Sequence, residues 1–225
     1  QIVYNDLPGF NVQDHMGSLG GSYRGQLGAM PYQLGLTYAY DYLTLDDDEF
    51  LQRHTVTGLG TLVEDAVNLS ALQLRLQTKE FSNDSNILRE EVRDAKNWMV
   101  GVLHLLRFQQ DRHLVRFGYQ FDDEDAQGQN FQYVGHRYLV GAQYTLPRVD
   151  TRLKYDYDVH LRHYDNRHTL LPAVNPHSKA RRDTEQTHIV RVEQPLLWDL
   201  TLAAEWQTII ARSNLPVFSF DRNDY

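Results

Sequence analysis

Residues 151–162, TRLKYDYDVHLR, alternate apolar and charged side chains without a break. Thr151, Leu153, Tyr155, Tyr157, Val159 and Leu161 fall on one face of an extended chain. Arg152, Lys154, Asp156, Asp158, His160 and Arg162 fall on the other. Side chains switch faces at every residue of a strand, so the segment has one greasy and one fully charged face. A helix would spread both sets around its circumference. The length matches the roughly 9–11 residues that carry a tilted strand across a bilayer. Lipid on one side and water on the other is what such a strand requires.

The same alternation recurs. Tyr32, Leu34, Leu36, Tyr38, Tyr40 and Tyr42 oppose Gln33, Gly35, Thr37, Ala39 and Asp41, and Leu202, Ala204 and Trp206 oppose Ala203, Glu205 and Gln207. Ten strands are predicted, near 16–27, 31–44, 51–63, 67–79, 97–108, 113–122, 132–146, 150–163, 186–194 and 199–212. Residues 51–63 alternate weakly, and 98–108 is apolar on both faces apart from His104 and Arg107; either could line a subunit contact or a plug. The connections alternate between tight and long. Those at 28–30, 64–66, 109–112, 147–149 and 195–198 are tight; those at 45–50, 80–96, 123–131 and 164–185 are longer and polar.

Short periplasmic turns with longer extracellular loops are the rhythm of a bacterial outer-membrane barrel. The expected fold is therefore all-β, an antiparallel up-and-down transmembrane β-barrel, with residues 1–225 forming a single barrel segment. The rhythm places 1–15 outside the cell, so at least one strand is expected before Gln1. Residues 220–225 read as the start of another descending strand, and the parent barrel should have about 12 strands or more.

Composition fits this picture once half of each strand is given to water. Mean hydropathy is −0.55, and no apolar run nears the roughly 18 residues of a transmembrane helix. Fourteen tyrosines suit interfacial girdles. A net charge of −8 with no basic stripe argues against nucleic acid as a partner. The absence of cysteine suits an oxidising envelope compartment.

The candidate lumen-facing set is Arg116, Arg152, Lys154, Asp156, Asp158, His160, Arg162 and Glu205, a ladder of both signs that could tune permeation. The basic residues Arg167, Lys179, Arg181 and Arg182 make the longest loop the expected partner-contact surface, mobile and outside the cell. Acidic runs at 46–49 and 122–125 read as solvated outer loops and lack the spacing of a calcium loop. The histidines lack metal-ligand spacing and there is no nucleophile elbow, so neither a metal, a cofactor nor a catalytic residue is expected. Expected partners are outer-membrane lipid and lipopolysaccharide, with envelope proteins.

Residues 50–61 (FLQRHTVTGLGT), 118–147 (GYQFDDEDAQGQNFQYVGHRYLVGAQYTLP) and 213–225 (SNLPVFSFDRNDY) resemble the C-terminal barrel of bacterial tetratricopeptide-repeat outer-membrane proteins. That group is similar to surface-lipoprotein assembly modifiers and exopolysaccharide secretion porins. The resemblance implies a barrel that moves or displays a secreted substrate, with helical repeats before Gln1. The resulting expectation is an outer-membrane channel or export pore of a Gram-negative envelope. A structural anchor barrel with a plugged lumen is the alternative. A barrel enzyme is the third class, to be recognised by a Ser, a His and an acid converging at the outer rim.

Overall fold

The computed structural model describes residues 11–82, 87–174, 177, 180–198 and 200–224. Eleven strands follow one another: β1 (Val12–Leu27), β2 (Met30–Leu45), β3 (Asp48–Val63), β4 (Asn68–Phe81), β5 (Ala95–Phe108), β6 (His113–Ala126), β7 (Tyr133–Thr145), β8 (Arg152–Tyr164), β9 (Arg182–Pro195), β10 (Thr201–Ser213) and β11 (Phe220–Asp224). They form one sheet in chain order. Every neighbouring pair is antiparallel, as short connections demand. The all-β, up-and-down expectation holds, and the anticipated strand at 220–225 is present as β11. Among the described residues no helix is long and apolar enough to cross a membrane.

The two ends of the sheet differ. Tight connections at 28–29, 64–67, 109–112, 146–151 and 196–200 form one end. Asp65 caps the second of these, its carboxylate accepting from the backbone N–H groups of Val67 and Asn68 at 2.6 and 2.7 Å. The connection expected as a long outer loop at 45–50 is instead a two-residue turn, Asp46-Asp47, with both residues left-handed (φ 53° and 68°). Aspartate tolerates that conformation, and it matches the strand twist of a hairpin. The acidic run at 122–125 is likewise strand rather than loop, because β6 continues to Ala126.

The remaining long loops pack on one another. Backbone N–H groups of Gln127, Gly128 and Asn130 donate to carbonyls of Asp94, Val92 and Glu90. A side chain at Gly128 would strike the carbonyls of Val92 and Glu90. The Asn130 amide donates to Glu91 Oε1 (2.7 Å) and Thr169 Oγ1 (3.0 Å), tying three loops together. Around this knot Leu171, which opens the short helix α1 (Leu171–Val174), and Leu215 are fully buried. The expectation of a mobile loop at 164–185 therefore does not hold for its described part.

His168 sits inside this cap, 2% exposed. Its Nδ1 accepts from the Leu170 N–H at 3.2 Å, which puts the ring proton on Nε2, and Nε2 has no partner. Burial first, then the nearby Arg181 charge, push its pKa below the usual 6.5. The folded chain thus binds this proton less readily than the unfolded one. The stabilisation is whole above about pH 6.5 and is lost as pH falls through the folded value. Amide exchange at Leu170, corrected for intrinsic rates, should accelerate between pH 7.5 and 5. His168→Phe should remove that dependence.

Candidate functional site

Strand partners in direct register share a face, so the pairings sort every strand residue onto one of two surfaces. One surface carries Leu19, Leu36, Leu76 and Leu202, all more than half exposed. The other carries polar and charged groups that are nearly inaccessible: Asp122 (5%), His160 (5%) and Glu193 (6%). A sheet folded for water has the reverse arrangement. The buried charges survive because each is paired, an unpaired one being far costlier.

All eight residues of the expected ladder lie on the polar surface, each with a partner. Arg116 meets Asp156 at 2.6 Å, and Lys154 meets Glu193 at 2.7 Å. Arg152 approaches Glu193 at 3.6 Å, Asp158 approaches Arg137 at 3.8 Å, and Glu205 meets Arg191 at 3.4 Å. Arg162 holds Glu185 at 2.9 Å. His160 accepts at Nδ1 from Arg137 and Arg162 (3.3 and 3.2 Å), so its Nε2–H donates to Asp122 Oδ1 at 3.0 Å.

Two glycines of β7 make this network possible. Arg116, Gly141 and Asp156 are consecutive register partners on β6, β7 and β8. The ion pair reaches across the middle strand, and a Cβ on Gly141 would collide with both partners. Gly135 likewise lies under the Asp122–His160 contact, where a Cβ would overlap the Asp122 carboxylate and approach His160 Nε2 at 2.6 Å. Sequence reasoning missed Asp122 and Glu185 as partners, having assigned both to outer loops. The glycines were visible, but their role follows only from register.

The polar surface is not uniform. Leu103, Leu105, Leu114 and Ile189 line a recess of about 420 Å³ beside Arg116, Lys154 and Arg191. This is where the doubly apolar segment 98–108 shows its second face. A larger recess, about 960 Å³, lies instead against the apolar surface, among Leu34, Leu72, Val102 and Phe117. It holds none of the ladder.

The expected contact loop divides. Arg167 and Arg182 are exposed. Arg181 departs from expectation: it is 5% exposed, bonds Asp183 at 2.5 Å and stacks 3.4 Å above the Phe218 ring. That places its charge inside the cap. Lys179 lies outside the described residues. A serine, a histidine and an acid do meet, with Ser70 Oγ 2.5 Å from Glu64 and 2.9 Å from His104 Nδ1. They lie at the tight-turn end on the apolar surface, not at the outer rim, and Glu64 competes for the one hydroxyl proton. Among the described residues no cluster of three or more His, Asp or Glu could hold a metal.

No family model matches the chain, and no curated protein does. Two solved structures from Pseudomonas aeruginosa are similar, each at 15% identity. OpdQ has a TM-score of 0.47 over 93% of this chain, and OccK3 (OpdO) one of 0.45 over 98%. The chain spans 59% and 65% of their lengths. These findings correct the resemblance to tetratricopeptide-repeat barrels: no family or curated match supports it, and the structural neighbours belong to a different group.

Gly135→Ala should destabilise by about 1–3 kcal/mol, because it wedges apart a buried bonded pair. Asp156→Asn should cost about 1 kcal/mol or less, since Arg116 is half exposed and screened. Urea titrations of the lipid-refolded protein measure both.

Proposed function

We propose that this chain is part of an outer-membrane β-barrel that forms a channel, its apolar surface in lipid and its polar surface lining water. The observation that carries the reading is the inversion of burial between the two surfaces. Leucines stand exposed in rows while Asp122, His160 and Glu193 are covered. Only a solvent that is apolar outside and aqueous inside makes both surfaces favourable at once. In hydrocarbon every backbone group needs a partner, and a continuous antiparallel ladder supplies one to all strands except at the sheet's two edges. Both edge strands, β1 and β11, run from the loop end to the turn end. Antiparallel closure between them takes an odd number of further strands, giving an even total.

By this reading the tight turns are periplasmic and the packed loops extracellular. The ladder then lines the lumen. Held in ion pairs of both signs, it gives a wall that is not strongly ion-selective. The nature of the solute, whether nutrient or exported polymer, is left to transport assays. Arg182, exposed beside the packed loops, is a cation for lipopolysaccharide or an acidic envelope partner.

A structural barrel with an occluded lumen is the second reading. The leucine recess among the charges and the interlocked loops favour it, since both suit packed contents better than open water.

The refolded protein in a planar bilayer should give discrete conductance steps, and Asp156→Ser should change cation-to-anion selectivity while leaving folding intact. Folded protein without steps would support the occluded barrel. Leu202→Arg should cost about 2–4 kcal/mol of stability in lipid, and Ala203→Arg, one residue along on the polar surface, far less. Equal costs in a urea titration would contradict the assignment of faces.

A further inference from the structure

The apolar surface carries a repeated device. Tyr38 Oη lies 2.8 Å from His54 Nδ1, Tyr119 Oη lies 2.7 Å from His136 Nδ1, and Tyr155 Oη lies 2.9 Å from His188 Nδ1. In each case the tyrosine is on a neighbouring strand, two register rows nearer the tight turns. A second aromatic ring closes on each imidazole: Tyr40 at 4.9 Å, Phe121 at 5.5 Å and Tyr157 at 4.8 Å.

These pairs do not lie in one register row. Tyr40 is level with His54. Relative to that row Trp98 is two rows nearer the turns, His136 four, His188 eight and Trp206 ten. The drift is ten rows over the eight strand steps from β2 to β10, always in one direction. With about 3.3 Å per residue and 4.8 Å between strands, that slope corresponds to strands tilted by about 40°. Barrel strands in membranes tilt by about that amount. The drifting line of aromatics is therefore a level ring around a tilted sheet.

A second ring lies eight residues along the strands toward the turns: Tyr32 below Tyr40, Tyr144 below His136 and Trp198 below Trp206. Eight residues at that tilt span about 20 Å, close to the apolar band of an outer-membrane barrel. Between the rings lie Leu34, Val102 and Leu202, and the large apolar recess.

We propose that the upper ring seats the phosphate groups of lipid headgroups, with His54, His136 and His188 as the donors. The inference rests on the membrane-barrel reading and adds a ligand to it. A neutral imidazole that accepts the phenol proton at Nδ1 keeps its own proton on Nε2. Among the described residues that nitrogen has no hydrogen-bond partner in any of the three. Each pair thus combines an aromatic body at the edge of the hydrocarbon with one N–H donor at headgroup depth. Phosphate oxygens are the acceptors available there, and the acyl chains take the recess below.

Two measurements test this. Variants retaining only Trp98 or only Trp206 are refolded into phosphatidylcholine vesicles containing lipids brominated at shallow or deep positions. Both should report the same shallow depth. Untilted rows would separate the two by about 26 Å along the strands, so clearly different depths overturn the ring. Native mass spectrometry from mixed micelles then compares retention of phosphatidylglycerol with that of a phosphate-free glycolipid. The wild type should retain the phospholipid several-fold better. The triple variant His54→Phe, His136→Phe, His188→Phe should lose that preference while Trp98 and Trp206 keep their depths. Equal retention by the wild type would overturn the phosphate assignment and leave the histidines as girdle rings. A chain that fails to insert into any vesicle would instead count against the barrel reading.

Discussion

The backbone ladder and its register are the constraint on which the rest depends. Side-chain direction repeats every two residues, so a slip of one residue anywhere would turn a whole strand inside out. Ten successive pairings carry that phase from β1 to β11, with one register shift at Leu43/Thr44 beside the Asp46-Asp47 turn. Because they do, Leu202 stays with Val190 and Tyr155 on one surface, and Glu205 stays with Arg191 and Lys154 on the other. The described strands form a single sheet, so apolar packing is confined to the cap of loops around Leu171 and Leu215. Stability rests on the ladder and on the match of each surface to its own solvent.

The polar surface then faces a problem that the apolar one does not. Its charges are crowded, and the buried ones, Asp122 and Glu193, would cost several kcal/mol if left alone. The two β7 glycines answer this by letting Arg116 and Asp122 reach partners two strands away. Asp158 and Glu205 find theirs on an adjacent strand. The resulting net of alternating signs braces β6 to β10 against one another. On the proposed channel reading, a wall so neutralised would offer a solute little net field, and any selectivity would fall to the gaps in it, such as the leucine recess.

Much of this was legible in the sequence, for a physical reason. Period-two alternation is local, so 152–162 and 32–42 could be assigned to strands and faces from residue types alone. The ladder residues could be grouped on one face because each sits in an alternating run. What escaped depended on distant chain. The Asp46-Asp47 hairpin looked like a loop because acidic residues serve both purposes, and left-handed φ angles leave no mark on composition. Arg181 looked like a free cation until Asp183 and Phe218 closed around it. The resemblance drawn from the wording of strands and loops misled, since alternating strands of unrelated barrels converge on the same vocabulary.

The central claim is that one surface meets lipid and the other water, and the absence of cysteine makes it directly measurable. Single cysteines placed in turn at positions 152 to 162 of β8 can be challenged, after refolding into vesicles, with a charged, membrane-impermeant thiol reagent. Positions 152, 154, 156, 158 and 162 should react, 160 being covered by Arg137 and Arg162, and 153, 155, 157, 159 and 161 should be protected, giving an alternation of period two. Uniform reactivity along the strand, or protection of the even positions with exposure of the odd ones, would contradict the account.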